Sequence, residues 1–506
     1  MEHRTAVIDL GSNSFRLVVF TAAEGWWKRT DEIYEAVRIG AGLGASGELG
    51  RKPMKRALQA IEVFSHFLHA SGIGAEDVQA VATSAIRDAS NQEQFLARVR
   101  EETGLAVTVL SREEEARLGY LAAINSTTLT DGAVLDLGGG SLQLIEVVGR
   151  LAGRLGSWPL GAVRMTEAFL SAEDPAPKKA RKALRAHVEE VLGEAGWLER
   201  TGRRLVGVGG TVRNLAAAAQ AEAGLPSFGV QGFFLDRDAL EALVECLAAL
   251  PASERGKLKG IKYARSDLIL AGALVVQAVM EAGDFDGIET TEAGLREGAF
   301  FARHLPDDPP LFEDVRRSSV LNLAARYRVD PAHTEHVATL ALGLFDGLAD
   351  AGLHPGEPLE RELLWAASVL HDIGMSVDYD DHHKHSRYLI LSAGLPGFDR
   401  REVALVAQAA RYHRKGMPDF GDLSPLAQDG DDERLDRLSI LLRLAEDLER
   451  SRDQSVRAAH VATDDGTIRL ELEADGSAAV ERWAAQREVD LFARAFGLDL
   501  KVESAP

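Results

Sequence analysis

The chain has 506 residues, 46% of them hydrophobic and 27% charged, which is enough length for several cores and a composition that excludes long disordered stretches. A formal net charge of −21 excludes general nucleic-acid binding, which needs a basic face, and the single cysteine, Cys246, excludes an intramolecular disulfide or a cysteine-only metal site and fits a reducing, cytoplasmic setting. The opening MEHRTAVIDLGSNS reaches a polar loop after a few apolar residues, and the longest apolar stretch elsewhere, Leu268 to Met280, is shorter than a bilayer crossing and reads as a buried helix, so no membrane partner is expected.

In chain order, the first feature is one half of an internal repeat. Ala6 to Phe20 reads AVIDLGSNSFRLVVF, and Ala133 to Val147 reads AVLDLGGGSLQLIEV, at a constant offset of 127 (133 − 6) with seven of fifteen positions identical. Each copy predicts a hairpin with a tight Gly/Ser turn. The first copy leads into a helix over 54–70, a strand from Val78 to Thr83, a helix from Gln92 to Glu102, the strand-like AVTVLS and a helix starting near Glu113. The second leads through RLAGRLGSWPL to helices near Val163 and from Lys178 to Leu192, the strand RLVGVGG and a helix opened by Thr211. Both halves read as a β-meander followed by βαβ units, with a mostly parallel sheet in each and a cleft between them. The Pro/Asp-rich stretch from His304 to Pro310 is a linker, followed by amphipathic helices to about Arg452 and then by a hairpin with an Asp-Gly turn, a helix and a strand. The expected domains are 1–127, 128–305, 306–453 and 454–506.

Three loops are built from small residues beside strands, where backbone N–H groups can converge on phosphate oxygens: Gly11-Ser12-Asn13-Ser14, Gly138-Gly139-Gly140-Ser141 and Gly207-Val208-Gly209-Gly210-Thr211. The last opens a helix, whose N-terminal dipole also favours anions. Asp9 and Asp136 end equivalent strands and are expected to hold Mg²⁺, largely through water; the alternative is that each caps its own turn. Two basic runs, Lys178-Lys179-Ala180-Arg181-Lys182 with Arg185, and Arg411-Tyr412-His413-Arg414-Lys415, are either anion patches or solvated helix faces.

The ordered set DLGSNSFRL, TSAIRD, EEEARLGYL, DLGGGS, VGGT, TEAGLREGAF, LHDIG and ARYHRKGMP resembles exopolyphosphatases and guanosine pentaphosphate phosphatases of the actin-like ATPase superfamily over nearly the whole chain. The resemblance implies an α/β fold of duplicated actin-like (ribonuclease H-like) domains with an interdomain cleft, then an all-α HD-like domain and a small α+β lobe. It implies that Glu115 positions and deprotonates the attacking water, with Glu114 the neighbouring alternative; from spacing alone, a Glu-rich helix start is ordinary dipole chemistry. Arg87 matches the arginine that contacts phosphate, Asn13, Ser14 and Arg16 match the first phosphate loop, and Gly139, Gly140, Ser141, Gly209 and Thr211 match the second and third. A homodimer is also implied. One departure is Ser141-Leu142-Gln143, where the family often has Ser-Thr-Glu, so that a carboxylate able to assist the metal is missing.

Further on, His336, His371-Asp372 and Glu446 follow the order of an HD-domain phosphohydrolase metal site, in which imidazole and carboxylate hold one divalent transition metal. In the resembled family this module commonly has lost its ligands, and Glu446 stands where Asp is usual. His382, His383, His385 and His413 are candidates for a second metal or for anion contacts. The leading expectation is Mg²⁺-dependent release of terminal orthophosphate from inorganic polyphosphate; the alternative within the same chemistry converts guanosine pentaphosphate to the tetraphosphate. From other classes, an ATP-dependent phosphotransferase lacks a recognisable adenosine motif, and a non-catalytic polyphosphate or alarmone sensor is motivated by Gln143 and the appended helical module.

Overall fold

The computed structural model describes residues 2–170, 175–464 and 466–504. The chain divides into two compact units, Met1–Val315 and Arg316–Pro506. Among the described residues no helix is long and apolar enough to cross a membrane.

The first unit contains two sheets of matching topology. One is ordered β3-β2-β1-β4-β5, from β1 (His3–Leu10), β2 (Phe15–Ala23), β3 (Trp26–Glu35), β4 (Val78–Ala82) and β5 (Val107–Val109). The other is ordered β10-β11-β9-β6-β7-β8, from β6 (Gly132–Leu137), β7 (Leu142–Val148), β8 (Leu151–Trp158), β9 (Arg204–Val208), β10 (Phe233–Asp236) and β11 (Gly287–Thr290). Read from β8, the second sheet repeats the first, with β10 added as an antiparallel edge. Both repeat segments are the expected hairpins: β1 pairs antiparallel with β2 and parallel with β4, as β6 does with β7 and β9. This is the duplicated actin-like α/β architecture that the sequence implies.

Period-two alternation decides where the two aspartates point. In β1, Ala6, Ile8 and Leu10 enter one apolar core, while Val7 enters a second core on the opposite face, and Asp9 follows Val7 in that alternation. In β6, Ala133, Leu135 and Leu137 enter a third core, while Val134 shares the second core with Val7, and Asp136 follows it. The shared core is completed by two helices, Arg112–Ile124 and Leu295–His304. Those helices pack so closely that a Cβ on Gly298 would overlap the Leu118 carbonyl. Because the obstacle is backbone, the helices must separate to admit a methyl; Gly298→Ala is expected to cost about 2–3 kcal/mol or more, read as a lower urea midpoint. An unchanged midpoint would show that the contact is not tight.

The edge strands β3 and β8 were not specified as strands by the pattern. Their faces are largely exposed and carry Lys28, Arg29, Asp31 and Glu32 on one, Arg154 on the other, the charges that discourage edge-to-edge pairing and also blur alternation. The apolar stretch at Leu268 becomes the buried helix Ile269–Ala282.

The second unit contains the helices Pro331–Asp350, Pro358–Leu370, His382–Ala393, Arg400–Tyr412 and Asp431–Leu448, then a three-stranded sheet of β12 (Val456–Asp464), β13 (Thr467–Ala474) and β14 (Asp499–Ser504). β12 and β13 form the expected antiparallel hairpin, and β14 returns parallel to β13 after two short helices. Asp465, half of the expected Asp-Gly turn, lies outside the described residues.

Candidate active site

Each repeat hairpin closes with the same hydrogen bond. Gly11 N–H donates to the Ser14 carbonyl at 3.2 Å, and 127 residues later Gly138 N–H donates to the Ser141 carbonyl at 3.0 Å. The duplication therefore extends to the turns, which hold the strand-end aspartates in equivalent settings. The third loop turns at Gly209, whose φ of 105° favours glycine; a Cβ there would sit 2.7 Å from the Leu137 carbonyl of the second loop. From it the helix Gly210–Glu222 starts with its first turn at the cavity.

These loops surround one cavity of about 120 Å³. Asp9, Glu115 and Asp136 line it together with Gly11, Ser12, Asn13, Ser14, Arg16, Gly138, Gly139, Gly209 and Gly210. Gly140 lines an adjoining pocket with Ser12 and Gly139. Thr211 differs from its expected placement: its side chain is buried against Gly272 of the helix Ile269–Ala282, leaving Gly210 as the residue at the wall.

The two glutamates separate cleanly. Ser111 N-caps the helix Arg112–Ile124; its hydroxyl accepts from Glu114 N–H at 3.1 Å while the Glu114 carboxylate accepts from Ser111 N–H at 2.7 Å, and those bonds hold the Glu114 carboxyl below the usual range. Glu114 is thus committed to the cap. One residue on, Glu115 is buried at 6% exposure, accepting from Arg87 Nη1 at 2.7 Å and from Ser141 Oγ at 3.4 Å. Burial raises its pKa, and Arg87 opposes without cancelling that effect. Arg87 also donates to the Leu110 carbonyl at 2.9 Å, so its guanidinium stands behind Glu115 and orients it. Gln143, in place of the carboxylate, donates to Ser141 Oγ at 2.8 Å, which leaves the Ser141 proton for Glu115.

Burial also raises the pKa of Asp9, and that of Asp136 is pushed up to about 7 by burial and by the neighbouring charge of Glu115. Three neighbouring carboxylates, Glu115 buried and Asp9 and Asp136 half-buried, repel one another, an arrangement that a divalent cation relieves. Four arginines, Arg16, Arg213, Arg265 and Arg296, line the same cavity. Burial, then the proximity of Arg296, lowers Arg213 to about 10, and burial with the proximity of Arg16 lowers Arg265. Glu32 pairs with Arg16 at 2.7 Å and offsets part of this charge; the remainder favours a polyanion. Arg296 Nε and Asn13 Oδ1, on residues that line the cavity, are buried without a hydrogen-bond partner.

Residues 18–306 match the model of the Ppx/GppA phosphatase family, and residues 315–487 match that of Ppx/GppA phosphatase domain III. The chain belongs to the Ppx/GppA phosphatase family. Among solved structures, the Aquifex aeolicus PPX-GPPA enzyme is 30% identical, with the match covering 59% of this chain and 99% of that one at a TM-score of 0.51. An exopolyphosphatase from Cytophaga hutchinsonii is 24% identical over 60% of this chain and 97% of that one, at a TM-score of 0.56, a likeness of fold. Family membership makes this Ppx/GppA protein a phosphoanhydride hydrolase.

Sequence reasoning did not single out Arg213, Arg265, Arg296, Thr83 and Ser84, all of which line the cleft. Arg213 lies two residues beyond VGGT and Arg296 lies inside TEAGLREGAF, so both were within reach of motifs already noted. Arg265 sits on a short 3-10 turn, Tyr263–Arg265, with no local pattern to mark it. The basic run on the helix Lys178–Leu192 lies elsewhere, where Arg181 pairs with Glu245 at 3.0 Å and Arg185 with Glu281 at 2.6 Å.

Proposed function

We propose that this Ppx/GppA phosphatase is a Mg²⁺-dependent exopolyphosphatase that releases terminal orthophosphate from inorganic polyphosphate. The observation that carries the reading is a single cleft lined by the carboxylates of Asp9, Asp136 and Glu115 together with Arg16, Arg213, Arg265 and Arg296. Asp9 and Asp136 fit a hydrated Mg²⁺, a hard cation that takes oxygen ligands and keeps part of its water shell; bound there, it would neutralise charge on the phosphate oxygens. Glu115, held by Arg87 and Ser141, takes the proton of the attacking water, and its raised pKa improves it as a base. The N–H groups of the three loops and the arginines bind the terminal phosphoryl oxygens and hold the phosphorus in line.

Guanosine pentaphosphate would place its own terminal phosphate in the same cleft. Polyphosphate is the leading choice because the cleft gathers positive charge without an evident nucleoside pocket among the described residues; Lys262 stands close enough to Arg16, Arg213 and Arg265 for them, after burial, to lower its pKa. Phosphate release from long-chain polyphosphate and from guanosine pentaphosphate, compared under Mg²⁺, tests this. A higher kcat/KM on polyphosphate is expected, and no release from it would overturn the assignment.

A pH effect follows from Asp136. Its folded pKa, about 7, lies above the unfolded value of 3.8, so its contribution to stability is full at low pH and is lost as pH rises through 7. In EDTA the protein should lose stability across that interval, and Mg²⁺ should raise Tm more at pH about 8 than at pH about 5.5, where protons already occupy the site. Equal Mg²⁺ shifts at both would remove Asp136 from the metal site.

A further inference from the structure

In the second unit, imidazoles and carboxylates form a buried cluster whose ring orientations are set by backbone carbonyls. His371 donates its Nδ1–H to the Ser368 carbonyl at 2.7 Å, His382 to Tyr379 at 2.9 Å and His413 to Ala410 at 2.7 Å. With Nδ1 committed to a backbone carbonyl, each ring in its neutral form presents a lone pair at Nε2, the orientation that metal-ligating histidines take from such backbone partners.

Those lone pairs face other acceptors. His371 Nε2 lies 3.2 Å and His333 Nε2 3.1 Å from the same oxygen, Glu446 Oε2, and none of the three atoms has a hydrogen-bond partner. His333 and His371 are 2% and 0% exposed. On the other side, His382 Nε2 and His413 Nε2 are 3.1 Å apart, a hydrogen bond only if one ring carries a second proton. Asp372 stands between the two sets: its Oδ1 is 3.3 Å from His382 and 3.9 Å from His413, its Oδ2 3.9 Å from His333. His333, His371 and Asp372 form one ligand group and Asp372, His382 and His413 another. Contacts of 3.1–3.2 Å between acceptors match the edges of a coordination polyhedron whose metal–ligand bonds are about 2.0–2.2 Å.

His336, the upstream histidine expected from spacing, is not part of this cluster. Its Nε2 meets the Val456 carbonyl at 2.8 Å and Glu449 at 3.4 Å. His333, one helical turn earlier, takes the place, because the helix Pro331–Asp350 packs with His333 against Glu446 and His336 against Val456 and Glu449.

We propose that this cluster is a dinuclear site for divalent transition-metal ions, bridged by Asp372, with His333, His371 and Glu446 on one ion and His382 and His413 on the other, open to a phosphate-bearing ligand. The imidazole-rich set selects Zn²⁺, Mn²⁺ or Fe²⁺ over Mg²⁺. Metal pairs about 3.5–4 Å apart clamp phosphoryl oxygens. The cavity over the cluster is rimmed by Arg414, Arg450 and Arg452, of which Arg452 donates to Asp372 Oδ2 at 2.7 Å and Arg414 to the Tyr379 hydroxyl at 3.1 Å. The ligand field here is distinct from the carboxylate cleft of the first unit, so this proposal stands or falls separately from the function proposed above.

The test is metal content of the full-length chain carrying Asp9→Asn and Asp136→Asn, which removes the cleft carboxylates as competing ligands. After Zn²⁺ loading and dialysis, elemental analysis should find about two ions per chain. His382→Ala should leave about one, Asp372→Asn at most one, and His336→Ala about two, with circular dichroism confirming that each variant is folded. Calorimetric titration with inorganic phosphate should give binding that needs Zn²⁺ and weakens in Arg414→Ala. Retention of less than one ion, a stoichiometry of one, unchanged content in Asp372→Asn, or phosphate binding indifferent to Zn²⁺ would each overturn the proposal.

Discussion

Replacing Glu115 by Gln is expected to lower kcat for phosphate release by about 10²–10⁴-fold, the contribution of a well-placed general base, with KM little changed. Glutamine keeps the shape and an oxygen to accept from Arg87, which lies 2.7 Å from the native carboxylate, so the cleft should stay assembled. What is lost is the group that takes the proton from water. Glu114→Gln, one residue away, serves as the control: its carboxylate closes the helix cap, so the change should cost at most about 1 kcal/mol of stability and leave kcat near that of the wild type. Wild-type turnover in Glu115→Gln would remove the base from the account.

Asp136→Asn is expected to be nearly as damaging to catalysis and yet stabilising in one condition. Loss of a metal-side carboxylate should raise the Mg²⁺ needed for half-activation and lower kcat by at least about 10–100-fold, the range seen for groups one shell further out. In EDTA at pH about 8, however, the wild type carries an ionised half-buried carboxylate whose pKa is raised to about 7, beside Glu115. The amide removes that charge. The variant should therefore melt at a higher temperature than the wild type without metal, and its Tm should respond less to Mg²⁺. A lower metal-free Tm with an intact Mg²⁺ response would place the cation elsewhere.

Much of the architecture was legible because it is written twice. Two apolar runs interrupted by Asp-Leu-Gly specify the hairpins, and strand alternation, once the register is known, carries Asp9 and Asp136 to the face shared with Val7 and Val134. Elements without an apolar period, such as the charged edge strand Trp26–Glu35, gave no such signal. The choice between Glu114 and Glu115 was in fact encoded: Ser111 followed three residues later by Glu114 is the capping-box pattern, which assigns Glu114 to the helix end. The arginine wall was less accessible, since Arg16, Arg213, Arg265 and Arg296 are brought together from distant segments by the fold alone. In the same way His333 and His336, three residues apart on one helix, are equivalent in spacing; only the packing of that helix against Glu446 and β12 distinguishes them.

The central claim is that the paired hairpins hold a divalent cation and the tip of a polyphosphate together in one cleft. A crystal soaked with Mn²⁺ and phosphate tests it most directly. An anomalous peak within direct or one-water reach of both Asp9 and Asp136, with phosphate on the glycine loops beside Glu115, is the predicted result. Manganese and phosphate bound only elsewhere, with the cleft empty at saturating concentrations, would contradict it.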